Sequence, residues 1–167
     1  MQPLRSLSLA LLAAAALPGL AAAQDGTVKI GVVSTLSGPG AALGEQARNG
    51  FLLAVEEMGG KLGGLTVEVV EVDDEQKPDV AANRARELVE RENVDFVVGA
   101  IFSNIQAAIT KPLTDAGVFV LSPNAGPSTL AGAECNPNFF AVSYQNDQNH
   151  EVLGAYAQEE GFSRVFL

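Results

Sequence analysis

Apolar and polar positions in this chain switch several times between a strand-like and a helix-like period. Residues 28–34 (VKIGVVS) form a nearly continuous apolar run of strand length. Across residues 44–58, Ala47, Phe51, Ala54, Val55 and Met58 recur every three or four positions, which predicts a helix with one apolar face. Gly59-Gly60 and Gly63-Gly64 mark the turn back. Residues 65–72 alternate, with Leu65, Val67 and Val69 set against Thr66 and Glu68, as in a strand near a sheet edge. Pro78 opens a second helix over 78–91, with Ala81, Ala85, Leu88 and Val89 on one face. Residues 95–98 read as a short apolar strand. A third helix follows over 103–116, with Ile105, Ala108, Ile109, Pro112, Leu113 and Ala116 in phase. Pro112 is expected to bend that helix or end its regular part, because it has no N–H to donate. Residues 118–121 are apolar throughout, as in the middle of a parallel sheet.

Beyond this point the pattern loosens. Residues 122–137 are rich in Pro, Gly, Asn and Ser and predict a long ordered loop. A strand is expected over 138–143. A helix capped by Asn146 or Asp147 should run to about Glu160, with Val152, Leu153 and Tyr156 inward and Gly161 ending it. Residues 165–167 read as the first half of another buried strand, so the chain is expected to be a fragment. Strands alternating with helices imply right-handed crossovers and an α/β fold, an open parallel sheet with helices on both faces.

The first 23 residues depart from this pattern. Arg5 is their only charge, an apolar Leu/Ala run follows from Leu7 to Leu20, and Ala21-Ala22-Ala23 offers small residues before Gln24. This is the layout of a cleavable export signal, with Gln24 as the expected mature N-terminus. The run is short for a membrane-spanning helix and is broken by Pro18-Gly19. The remainder has the length of one ordinary domain. Its formal charge of −10, which becomes −11 once Arg5 leaves, argues against nucleic acid or an anionic membrane surface as partner. Cys135 is the only cysteine, so no internal disulfide is possible.

Candidate chemistry lies at the predicted strand ends. Residues 35–44 carry Ser37, Gly38, Gly40 and Gly44, but Glu45 stands where a P-loop needs Lys, and Leu43 breaks the dinucleotide glycine spacing. No nucleotide cofactor is therefore expected. Ser103 falls at a helix N-terminus, where a hydroxyl beside free N–H groups suits a carboxylate or simply caps the helix. The backbone of Asn124, Ala125 and Gly126, after the next strand, could line the same crevice or form a plain turn. Asp73 and Asp74 are expected to be a solvated or helix-capping pair rather than a metal site, since hard cations need several oxygen ligands. His150, the only histidine, is expected on a helix surface. No nucleophile–base pair, G-x-S-x-G elbow or metal cluster is found, which points to a non-catalytic binding module.

The segments IGVVSTLSGPGAALGEQARNGFLLAVEE, VEVVEVDDEQKPDVAANRARELV, VDFVVGAIFS, GVFVLSPNAGPSTL and NFFAVSYQNDQ occur in an order that resembles the periplasmic solute-binding proteins of the leucine/isoleucine/valine type. These are type I periplasmic binding proteins that feed ATP-driven importers. The resemblance implies two α/β lobes joined by a hinge and closing on ligand. On it, residues 24–141 are a complete first lobe, 142–146 the first hinge crossing, and 147–167 the opening of a truncated second lobe. It implies a periplasmic protein with an ABC-type permease as partner and a small carboxylate-bearing solute as ligand. By resemblance the ligand carboxylate meets the Ser103 hydroxyl and the Gly126 N–H, and an ammonium meets the Asn124 carbonyl. Gly126 stands where amino-acid binders usually carry Thr or Ser, and Leu43 stands where the leucine/isoleucine/valine binder has an aromatic residue. Gln76 and Phe102 replace two cysteines that some members join. SPNAGPS, NPNFF and YQNDQ look more like members that take aromatic acids or other carboxylates, and a pocket of Leu43, Phe102 and Gly126 would suit a ring. The same fold also serves as the ligand-sensing part of receptors and amide-responsive regulators, which is the alternative reading.

Overall fold

The computed structural model describes residues 26–165. The export signal expected at 1–23 lies outside them, as do residues 166 and 167. The described elements are β1 (Thr27–Ser34), α1 (Ala41–Glu57), β2 (Lys61–Leu62), β3 (Leu65–Asp73), α2 (Pro78–Glu90), β4 (Phe96–Val98), α3 (Ser103–Asp115), β5 (Phe119–Ser122), a 3-10 turn (Ser128–Ala131), β6 (Phe139–Ala141) and α4 (Asn146–Glu159). The sheet order is β2-β3-β1-β4-β5-β6. All neighbours pair in parallel except β2 with β3. This is the expected α/β architecture, with a two-residue strand, β2, that the pattern read only as a turn.

The sheet buries its two faces unequally. On one face, Val33, Val97 and Val120 pack with Ala81, Ala85 and Leu88 of α2 and Ile105, Ile109 and Leu113 of α3 into a single core. Burying side chains of this size contributes about 1.5–3 kcal/mol each relative to leaving them exposed. The other face is covered by α1 along β1, where Ala47 and Phe51 lie near Val32 and Val98. Beyond it, Phe96, Phe119 and Phe140 form a row across β4, β5 and β6, with ring centroids 5.7 and 6.4 Å apart. Among the described residues nothing packs over this row closely enough to bury it, and Phe119 and Phe140 remain 41% and 48% exposed.

Several local readings need correction. Helix α1 starts at Ala41, three residues earlier than the apolar period suggests, and Leu43 is therefore helical. Gly44 is the fully buried residue of α1 because the helix passes against β1's end there. A Cβ at Gly44 would overlap the Thr35 carbonyl, and the Ser34 hydroxyl donates to the Gly44 carbonyl at 2.9 Å. Ala54 and Met58, expected inward, are exposed. Pro112 does not end α3, which runs on to Asp115. Helix α3 also buries three polar residues in line, Gln106, Thr110 and Thr114, each satisfied by hydrogen bonds to α3's own backbone or side chains or to the preceding loop. The strand expected over 138–143 shortens to β6. In α4, Val152, Leu153 and Tyr156 are each more than half exposed rather than inward, and no residue of that helix is buried. Arg164 and Val165 belong to no strand. Among the described residues no helix is long and apolar enough to cross a membrane.

The core makes one expectation specific. Leu88 is completely buried between the sheet and α3. Leu88→Ala should lower the unfolding free energy by about 2–5 kcal/mol, from lost burial plus the cavity left behind. Urea denaturation followed by circular dichroism checks this, and a loss below about 1 kcal/mol would show that α2 repacks freely.

Candidate ligand-binding site

Parallel pairing puts the C-terminal ends of β1, β3, β4, β5 and β6 on one edge, the edge where open α/β sheets bind ligands. Three loops meet there: 99–102 after β4, 123–127 after β5, and 142–145 before α4. Their polar groups are tied directly. The Asn124 side-chain amide donates to the Ile101 carbonyl at 2.8 Å. The Ala125 N–H donates to the Ala100 carbonyl at 3.4 Å, and the Ser122 hydroxyl donates to the Ala125 carbonyl. Ala100 is itself held by Gln106, whose side-chain carbonyl accepts its N–H.

Ser103 is the first residue of α3, and the residue at the cap position is Phe102, so Ser103 is not the N-cap. Its hydroxyl oxygen instead accepts a hydrogen bond from the Asn146 side-chain amide at 2.9 Å. The Asn146 backbone N–H donates to the Gly126 carbonyl at 2.9 Å. One residue thus joins the two strand-end positions singled out in the sequence. Asn146 was legible only as a possible helix cap, and it is not the cap. Gln145 is, in a reciprocal pair with Gln148. The only signal of its second role is an amide side chain standing one residue after that cap.

The structure therefore gathers Ser103, Asn124, Ala125 and Gly126 on one edge, with Phe102 adjoining Ser103. Among the described residues, the Gly126 N–H and the Asn124 carbonyl have no hydrogen-bond partner. The Ser103 hydroxyl has its proton left to donate. The first N–H groups of α3 add a favourable dipole for a negative charge. Leu43 stands 54% exposed on the first turn of α1. The space beside Gly126 is not open to a ring. A Cβ there would overlap the Tyr144 carbonyl, so the missing side chain accommodates the chain's own backbone. Cys135 lies apart from this edge, exposed in a pocket of about 390 Å³ lined also by Thr110, Lys111 and Asp115 of α3. His150 is exposed on α4, as expected. Among the described residues no group of three or more His, Cys, Asp or Glu is placed to hold a metal.

Of the two acids at the end of β3, Asp73 is half-buried and Asp74 is buried, and neither caps a helix. Asp74 is completely buried, and its Oδ1 accepts from the Thr35 hydroxyl at 2.7 Å and the Gln76 N–H at 2.7 Å. Its Oδ2 has no partner. Asp73 Oδ1 accepts from the N–H groups of Leu36 and Glu75 at 2.9 and 2.8 Å. Burial pushes the Asp74 carboxyl above its ordinary value, and the neighbouring Asp73 charge adds to that, against hydrogen bonds from Thr35 and Gln76. For Asp73 burial also acts upward, but hydrogen bonds from Ser37, Glu75 and Leu36 outweigh it and hold the carboxyl below its ordinary value. The two acids together fix the loop after β1.

Residues 27–167 match the sequence pattern of the periplasmic binding protein family. The chain belongs to that family. It is 33% identical over 153 residues to Leu/Ile/Val-binding protein homolog 3 of Brucella melitensis, covering 89% of this chain and 40% of that protein. A solute-binding protein of an ABC transporter from R. palustris, solved with benzoate, superposes with a TM-score of 0.76 at 34% identity, covering 81% of this chain and 38% of that one. A branched-chain amino acid transporter substrate-binding protein of Streptococcus pneumoniae, solved with isoleucine, gives a TM-score of 0.72 at 32% identity, covering 80% and 38%. The chain spans about 40% of the length of the curated relatives it matches. These periplasmic binding protein relatives are solute-binding transport proteins, and family membership points to a periplasmic location.

The burial of Asp74 carries a pH signature. A carboxyl whose folded value is raised costs stability once the pH exceeds its ordinary value of 3.8 and is neutral with respect to folding below it. Asp74→Asn keeps the Oδ1 acceptor and removes the charge. The variant should be at least as stable as wild type at pH 7, with the difference shrinking as the pH falls toward 4. Thermal melts across that range test this, and a variant markedly less stable at pH 7 would mean that the ionised form is the one the fold needs.

Proposed function

We propose that this chain is the ligand-capturing part of an extracytoplasmic solute-binding component of an ABC-type importer. It takes a small carboxylate-bearing solute and has no catalytic role. The observation that carries the reading is the convergence on one sheet edge of the Ser103 hydroxyl, the α3 N-terminus, the unpartnered Gly126 N–H and the unpartnered Asn124 carbonyl. The three donors suit a carboxylate, and the carbonyl suits an ammonium or hydroxyl on the same solute. Charge on such a ligand would be met by hydrogen bonds and oriented peptide dipoles rather than by a cation.

In this reading residues 24–141 form the first lobe, 142–146 a hinge crossing, and 147–167 the opening of a second lobe. The two bonds made by Asn146, the last residue of the proposed crossing, couple the hinge to the ligand groups. Export by residues 1–23, a periplasmic location and a permease partner belong to the same proposal. Closure of two lobes on the solute would be a hinge motion whose equilibrium the ligand shifts. The relatives' bound solutes, isoleucine in one and benzoate in another, define the two ligand classes to compare. The sequence likeness in residues 122–148 is to members that take aromatic acids or other carboxylates, and the closed space beside Gly126 leaves the choice between the classes to the binding panel.

The test is a binding panel on the full-length protein, with leucine, isoleucine, benzoate and 4-hydroxybenzoate read by thermal shift and calorimetry. At least one should raise the melting temperature in a concentration-dependent way, and none doing so would sink the reading. Ser103→Ala should weaken that ligand by about 1–3 kcal/mol, the cost of leaving a charged group one hydrogen bond short. Unchanged affinity would mean that Ser103 serves only to hold Asn146.

A further inference from the structure

A second set of contacts ties the same sheet edge together away from Asn146, and it centres on Gly40. This residue ends the loop after β1 and stands at the N-cap position of α1. Its N–H donates to the Gln76 side-chain carbonyl at 3.2 Å, and Gln76 belongs to the loop after β3. The ring of Phe102, from the loop after β4, also lies against it. A Cβ built on Gly40 would stand 2.6 Å from Phe102 Cε2, 2.7 Å from Cζ and 3.1 Å from Gln76 Oε1. Any side chain there would have to push the ring or the amide away. Gly40 is therefore in contact with an amide and an aromatic ring that come from two different strand ends.

The consequences run along the chain from each partner. Phe102 immediately precedes Ser103 and occupies the N-cap position of α3, so a shift of its backbone carries the Ser103 hydroxyl and the free α3 N–H groups with it. Gly40 leads into the turn of α1 that bears Leu43. The near end of the same loop is fixed independently by Leu36 on Asp73. With both ends tied, residues 36–40 have little freedom to change height above the sheet.

We propose that Gln76, Gly40 and Phe102 form a non-covalent clasp that sets the position of Ser103 and of the first turn of α1, with Gln76 and Gly40 acting as positioning residues that do not themselves touch the ligand. The inference rests on the carboxylate-binding reading for its functional half. Its structural half, the coupling of Gln76 to Ser103 through Gly40 and Phe102, stands without any ligand.

The experiment uses the full-length protein and two substitutions. Gln76→Met keeps the side-chain length and removes the acceptor. Val89→Ala trims a partly buried core residue far from the clasp and serves as a stability control. Amide exchange at Gly40 and the amide resonance of Ser103 are followed by NMR, and affinities for benzoate and leucine by calorimetry. Gln76→Met should speed Gly40 exchange about fivefold or more, displace the Ser103 resonance, and weaken whichever probe the wild type binds by about three- to tenfold, the loss expected for one net hydrogen bond. Val89→Ala should leave all three unchanged. Gly40 exchange within about twofold of wild type in Gln76→Met, or a Ser103 resonance and affinity that match the control, would overturn the clasp. If the wild type binds neither probe, the four-ligand panel decides the carboxylate reading, and Gly40 exchange with the Ser103 resonance still decides the clasp.

Discussion

Parallel pairing around β1 is the constraint on which the rest depends. β1 bonds β3 on one side and β4 on the other, and β4 leads on through β5 to β6, all running the same way. Each must then be reached by a crossover that returns the chain to the far edge, and each releases its following loop at the near edge. The helices that cross back bury the core. The loops at the near edge, with the first residues of α3 and α4, supply the polar groups of the candidate site. A single topological choice thus separates the part of the chain that holds the fold from the part that meets a ligand.

At that edge the chemistry is made of backbone and small neutral side chains. No named site residue carries a charge, and the acids nearby, Asp73 and Asp74, are turned to the loop after β1 rather than outward. Peptide groups held by a sheet and a helix lose little freedom when a ligand arrives, so their hydrogen bonds come preorganised. A long cationic side chain would offer a stronger point charge but would have to be ordered on binding. The same logic explains the density of internal ties: Asn124 to Ile101, Ala125 to Ala100, Asn146 to both Ser103 and Gly126.

The fold was legible because its signals are local. Strand-length apolar runs, helical periods in α2 and α3, and Pro78 at a helix start each act within a few residues, and each matches an element of the structure. Ser103 and residues 124–126 were legible as strand-end positions for the same reason. What escaped is what depends on distant neighbours. Asp74 looks like a surface acid until β1's loop closes over it. Gln106 looks like a polar helix residue until the Ala100 N–H needs an acceptor in the interior. Gly44 and Gly126 read as breaks or as vacant space, but each lies where another stretch of backbone passes too close for a Cβ. In α4 the apolar positions Val152, Leu153 and Tyr156 were read as inward and are exposed, because nothing local says whether another element will cover them.

The ties at the site edge are also long in sequence. Thr35 reaches Asp74 across 39 positions, and Ser103 reaches Asn146 across 43. Closing such loops is entropically costly before the contacts that reward it exist, so non-local pairings of this kind form late as a chain folds. The contact between Ser103 and Asn146 closes a loop that contains most of α3, β5 and β6. The binding edge is in effect a checkpoint on its own assembly, presenting its donors in register only on molecules whose sheet has already formed.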